Sequence, residues 1–208
     1  ADNPDSPWAY YYMASAWLFR DSIEKSIECH QKARELSPGL MINNYRLGHT
    51  YMDSGRYDEA IEVFEEILAI DPEEYSAYYN LGCCHEALGN QPDARACFLK
   101  FRKNAEEKWL KHYPDYYATY TTLASVAARL DEMELSRQLL NKAVELDSAQ
   151  YFSFAEVLCV QGEIPEAIDN FELALEHGYR SLYGLKGNPE LAALRFDIRL
   201  KNLLDKYF

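Results

Sequence analysis

The sequence predicts an all-α fold: about five stacked helix–turn–helix units closed at the C-terminal end by a helical cap. Three observations carry that expectation. Leu47, Gly48, Gly55, Ala60 and Phe64 return 34 residues later as Leu81, Gly82, Gly89, Ala94 and Phe98. The small residues of this set, Gly48, Gly82, Ala60 and Ala94, suit a crossing of two helices about 8–10 Å apart, and Phe64 and Phe98 fill the space between units. Prolines keep the same register. Pro92 and Pro165 fall in the first turn of a second helix, where a missing N–H costs nothing, and Pro38 and Pro72 follow a second helix and stop it.

The elements follow in order. Residues 1–6 read as a leader and 7–181 as the repeating region, with units near 7–40, 41–74, 75–116, 117–147 and 148–181. In the first unit Ala14, Trp17, Ser26, His30 and Pro38 precede Gly48, Tyr51, Ala60, Phe64 and Pro72 by one period. The fourth unit is offset by 42 (Gly82 to Ala124, Phe98 to Leu140), which implies eight inserted residues around 108–116. Nothing breaks Phe98 to His112 before Pro114, so the second helix is expected to lengthen by about two turns. That overhang offers Lys108, Trp109 and Lys111 for a contact of its own. The fifth unit follows after 31 residues (Ser136 to Ala167, Leu140 to Phe171), and Gly55, Gly89 and Gly162 are expected to end first helices. Residues 182–208 leave the pattern. Asn188-Pro189-Glu190 reads as an N-cap with proline at the first helical position, and Leu191, Leu194, Ile198, Leu203 and Leu204 supply an apolar stripe to cover the last unit.

With these residues at this period, the chain is identified as a member of the tetratricopeptide repeat (TPR) family. The resemblance implies a right-handed α–α superhelix in which the first helix of each unit lines a concave face where bound segments lie. The stretch 188–200 is also similar to the tail that closes many bacterial TPR regions. Leu194-Arg195 match it, while Asp197-Ile198-Arg199-Leu200 stand where those tails carry Asp-Pro-Arg-Phe. That likeness implies a bacterial source. It also implies an alternative role, as a self-associating or regulatory segment of a larger signalling protein with a cyclase, kinase or transcription-regulator domain.

Projecting the register places Tyr11, Tyr45, Tyr79, Thr121 and Phe152 at one groove position, and Tyr12, Arg46, Asn80 and Thr122 at the next. His49, Cys83 and Ser125 occupy a third, together with Ser15 and Glu156. The tyrosines form either an aromatic contact surface or a set of rings packed between neighbouring helices; tyrosine suits both. The carboxylate clamp known in this family needs Lys, Asn and Arg at positions that here hold Tyr45, His49, Asn80, Ala118 and Thr122, so capture of a chaperone tail is not expected. The expected function is a non-enzymatic scaffold binding a protein or peptide partner, as an apolar or aromatic-bearing helix or strand, in this groove. Exposed Trp8, Tyr10 and Trp17 leave a homodimer open.

The net charge of -13, from 34 acidic and 21 basic residues, argues against nucleic acid as partner. Residues 53–74 hold nine acids and one base: a solvated outer face, or a docking face for a basic partner. No apolar run is long enough for membrane insertion. Residues 1–7 show no signal-peptide pattern, and five cysteines without framework spacing read as reduced thiols of a cytoplasmic protein. Cys83-Cys84-His85 with Cys97 matches no metal-ligand spacing, so no metal or cofactor is expected, and no catalytic motif is present.

Overall fold

The computed structural model describes residues 6–20, 22–179 and 188–207. Among them there are helices and turns and no strand. In chain order the helices are α1 (Pro7–Phe19), α2 (Ile23–Leu36), α3 (Met41–Asp53), α4 (Tyr57–Ile70), α5 (Tyr75–Ala87) and α6 (Gln91–Asn104). A π-helical turn, Ala105–Trp109, joins α6 to α7 (Leu110–His112). Then come α8 (Tyr117–Arg129), α9 (Met133–Leu146), α10 (Tyr151–Val160), α11 (Ile164–Glu176), a 3₁₀ helix (Pro189–Phe196) and α12 (Ile198–Tyr207). The helices divide into two compact bodies, Ala1–Cys97 and Phe98–Phe208.

In the first body α1 packs on α2, α3 on α4, and α2 and α4 each on the helix that follows. The core is built around Phe64, which is fully buried with Ala60, Leu47, Val63 and Ile67. Gly48 makes that possible. A Cβ at this position would stand 2.6 Å from Cζ of Phe64, closer than real contacts allow, so the tip of the ring can reach the α3 backbone only because residue 48 has no side chain.

Turns between paired helices use one geometry. Gly55 has φ 76°, and the Arg56 N–H donates to the Tyr51 carbonyl at 2.9 Å while Gly55 N–H donates to Met52 at 3.0 Å. This satisfies two carbonyls that the helix end would leave unpaired. In the fourth unit the residue at the same place is Asp131, with φ 66° and the same pair of bonds, Glu132 to Ala127 and Asp131 to Ala128. Asp131 is the non-glycine with positive φ among the described residues, so the fourth unit keeps the turn at a conformational cost that Gly55, Gly89 and Gly162 avoid.

In the second body α8 packs on α9, α10 on α11 and on α8, and the 3₁₀ helix lies on α10 with α12 beside it. Leu191, Leu194, Leu200 and Leu203 join Ala155, Cys159, Ala167, Ile168, Phe171 and Leu175 in one apolar cluster. The C-terminal segment therefore shares the core of the fifth unit. The inserted residues extend α6 through the π-turn to His112, keeping Ala105 fully buried and bringing Trp109 to 4.7 Å from Tyr113.

The same position of the second helix carries a serine twice. Ser136 is buried and satisfied: its hydroxyl donates to the Ala124 carbonyl at 2.6 Å and accepts from Gln161 Nε2 at 2.8 Å. Ser26 is equally buried, but its Oγ makes no hydrogen bond.

Candidate protein-binding face

The α3 helix presents a small surface whose shape follows from its core. Because Gly48 admits the Phe64 ring, that ring rises beneath the helix and supports two side chains above it. Tyr45 lies 6.1 Å from Phe64 and His49 lies 5.9 Å from it, edge to face. Tyr45 and His49 stack on each other at 6.5 Å with an interplanar angle of 27°. Tyr45 is half-buried, whereas Arg46 and His49 are exposed. One helical face thus offers an aromatic floor, an imidazole and a guanidinium.

Electrostatics keep this face singly charged. Loss of hydration among its neighbours, and then the Arg46 charge, lower the His49 pKa, so at neutral pH the ring is uncharged even though it opens to solvent. Burial first, then the Glu74 carboxylate, push the Tyr45 phenol upward. Its hydroxyl is closed off from solvent, and Glu74 and Ser76 both act on it. Arg46 is left as the cation of the face.

Beneath α1 the arrangement is parallel but polar. Tyr11 lies 6.0 Å from His30, which fills in the first unit the place of Phe64. His30 is fully buried; its Nδ1–H donates to Asn43 Oδ1 at 2.8 Å, and Asn43 Nδ2 donates to the His30 carbonyl at 2.9 Å. Burial, the largest cause, lowers its pKa, Arg46 adds to that, and the Asn43 bond opposes it. Tyr12 is 65% exposed and sits edge-on to Tyr11 at 5.3 Å. The ring contacts of Tyr11 and Tyr45 stay within their own units.

Other groove expectations are corrected by burial. Asn80, Cys83, Thr121 and Ser125 do not face solvent; all four are buried. In α5 the run Asn80–Cys84 is buried on consecutive positions, and in α8 the run Leu123–Ala128 is too. Over those turns the helix is enclosed, and these short side chains are overtopped by their neighbours. Thr121 and Thr122 turn their hydroxyls back onto the Ala118 carbonyl, each at 2.9 Å. Tyr79 stays half-buried on α5. Phe152 is half-covered, stacked on Tyr179 at 4.2 Å and 15°.

Ser125 is covered by the C-terminal segment. Its hydroxyl donates to Glu190 Oε1 at 2.7 Å, and Arg129, one turn further along α8, donates from Nη1 to Ser125 Oγ and to Glu190 Oε1 (3.3 Å). Glu156 of α10 accepts from Asn188 Nδ2 at 2.5 Å. Burial, then the neighbouring Glu190 charge, raise its pKa to about 8, a proton that belongs to the carboxyl pair. Sequence reasoning placed Glu156 and Ser125 on one face but passed over Arg129 and Glu190 as a pair. The available signal was Ser125 and Arg129 four apart on one helix.

The remaining candidates are inert. Cys83 and Cys84 are buried, the five cysteines stand outside any disulfide, and burial pushes Cys84 well above the usual thiol range. Among the described residues no cluster of His, Cys, Asp and Glu could hold a metal ion, and no helix is long and apolar enough to cross a membrane.

Comparison with known proteins gives the class. Residues 45–108 and 117–150 each match a tetratricopeptide repeat model. The fold resembles a thermophilic TPR protein of Thermus thermophilus, with a TM-score of 0.62 and 18% identity over 91% of this chain and 99% of that one. The chain is a tetratricopeptide repeat protein, an all-α solenoid class. In sequence it is similar to the human intraflagellar transport protein 88 homolog (24% identity, 66% of this chain, 18% of that protein). It is also similar to the peroxisomal targeting signal receptor of Saccharomyces cerevisiae (32% identity, 34% of this chain, 13% of that protein). It spans less than a fifth of either relative. Tetratricopeptide repeats generally mediate protein–protein interactions.

Proposed function

We propose that this chain is a protein-binding scaffold without catalytic chemistry of its own, and that the α3 face takes the partner. The observation that carries the reading is half-buried Tyr45 and exposed His49 mounted over Phe64, with exposed Arg46 beside them. An aromatic floor held rigid from below loses little entropy on binding, and a single cation beside it sets orientation. The occupant that fits is a peptide with an aromatic or aliphatic side chain next to a carboxylate. Tyr11, Tyr12 and Tyr79 extend the surface on α1 and α5. That a similar yeast protein is named a receptor for a targeting signal is consistent with peptide capture.

The test is selection of peptides from a random library on the intact chain, followed by affinity measurement. Tyr45→Ala with Tyr79→Ala lowers the affinity of the selected peptides at least tenfold while far-UV circular dichroism is unchanged. Unaltered affinity in the double variant removes the reading.

A second reading has its own observation. The α1 helix is apolar on every side, and Trp8, Met13 and Phe19 are exposed on it. Self-association through α1 would bury them. Sedimentation of the wild type beside Trp8→Ser/Phe19→Ser distinguishes this from the α3 face.

A further inference from the structure

The carboxyl network of the second body goes beyond the α3 reading and involves none of its residues. We propose that the face formed by α8 and α10 is a second segment-binding site, that it accepts a peptide of the form basic–x–Glu–Leu–x–x–Leu, and that the chain's own Asn188–Phe196 is an occupant which such a peptide displaces.

The seat belongs to α8 and not to the tail. Arg129 is held by its own helix, through the Ser125 carbonyl at 3.5 Å and the Ser125 hydroxyl, and with the tail in place its side chain is only 4% exposed. A guanidinium buried to that degree requires an anion. Arg129 and Ser125 aim at one point, which Glu190 Oε1 fills from 61 residues away in the chain. The apolar half of the site lies beside it. Leu191 and Leu194, one and four positions after the carboxylate, are buried against Ala155, Cys159, Ile168 and Phe171. A carboxylate anchor and two leucines at that spacing form a recognition pattern that a separate peptide can reproduce.

The present occupant fits the seat imperfectly, and the misfit specifies a better ligand. Glu156 on α10 faces Glu190, so two carboxyls share the one guanidinium of Arg129. The site is neutral only while one carboxyl keeps its proton. Asn188, two residues before Glu190, meets Glu156 with an amide, which cannot neutralise it. Lysine or arginine at that place pairs with ionised Glu156 and leaves Arg129 entirely to the glutamate. Such a peptide outcompetes the tail, and its advantage grows as pH rises and Glu156 loses its proton.

Two synthetic peptides test this, one with the sequence of residues 188–200 and one carrying Asn188→Lys. Their binding is read by fluorescence anisotropy against the intact wild-type chain and against the intact chain bearing Glu190→Lys/Leu194→Asp. The expected result is at least tenfold tighter binding of the Asn188→Lys peptide to the disabled-tail chain than to wild type. Arg129→Met added to the disabled-tail chain loses that gain. Equal, weak binding by both chains with helicity retained overturns the proposal and makes the tail a permanent cap. Because Leu194→Asp can unfold the fifth unit, hydrogen exchange is also followed on the wild-type chain at saturating Asn188→Lys peptide. Faster exchange in α12 with protection kept in α10 supports displacement. Unchanged exchange in α12 overturns it. Loss of library-peptide binding at Tyr45 and Tyr79 has no bearing on either outcome, so the two readings fail separately.

Discussion

Two first helices, α3 and α8, start from the same repeat position and end in opposite states. On α3 a glycine admits a phenylalanine beneath the helix, and that ring supports half-buried Tyr45 and exposed His49. On α8 the corresponding face carries Ser125 and Arg129, and a segment from outside the repeats lies over them. The repeat dictates how helices cross; whether a helix face is available depends on what non-repeating chain returns to it. The buried ionisable group differs too. The first body hides an imidazole, His30, and the second a carboxyl pair, Glu156 with Glu190.

The largest effect expected is at the cover itself. Leu194→Ala removes a fully buried side chain from the fifth-unit cluster and costs about 2–5 kcal/mol of stability in the second body. Labelling of the buried Cys159 thiol should accelerate with it, while α3 amides keep their protection. If Cys159 labels no faster, the cover is not what closes this face.

Next comes the floor of the α3 face. Gly48→Ala forces a Cβ against the Phe64 ring, which is buried and has nowhere to move, at a cost of about 1–3 kcal/mol. Denaturant unfolding measures the loss, and near-ultraviolet circular dichroism should report the displaced Tyr45.

The two bodies should then respond to pH in opposite directions. The folded pKa of His30 lies below its ordinary 6.5, so the folded state binds fewer protons, and its stability is complete above that value and lost as pH falls. The folded pKa of Glu156 lies above its ordinary 4.5, so stability is complete below that value and lost as pH rises toward about 8. Hydrogen exchange at pH 5 and pH 8.5 separates them: the first body loosens in acid and the second in base. Glu156→Gln, which keeps an acceptor for Asn188, should flatten the response of the second body alone. A common pH optimum in both bodies would discard the assignment.

Smaller effects sharpen the comparison of matched positions. Ser26→Ala should stabilise by about 1 kcal/mol, since it removes a buried hydroxyl without a partner, whereas Ser136→Ala should destabilise by a similar amount. Opposite signs from one substitution at one repeat position would be read directly from midpoints of unfolding. Asp131→Gly should stabilise by about 0.5–1 kcal/mol, by restoring the residue that its positive φ favours.

The helix-pair fold was legible because its signals are local and repeated: small residues at crossings, buried phenylalanines on second helices and glycines at turns recur at a fixed offset. The positive φ of Asp131 was not, because an aspartate carries no mark of that conformation. Of the candidate face, Tyr45, Arg46 and His49 on α3 could be placed together by helical spacing alone. The burial of Asn80, Cys83, Thr121 and Ser125 could not, since a side chain's cover comes from residues far away in sequence.

From its sequence alone the protein is determined as a tetratricopeptide solenoid, because a period of crossings and turns is written into residue size and backbone freedom along the chain. Tertiary structure alone decided that Glu190 would meet Ser125 and Arg129 across more than sixty residues, and that Glu156 would hold a proton beside it. Long-range pairing of buried charge depends on where a non-repeating segment comes to rest, and no local spacing encodes that.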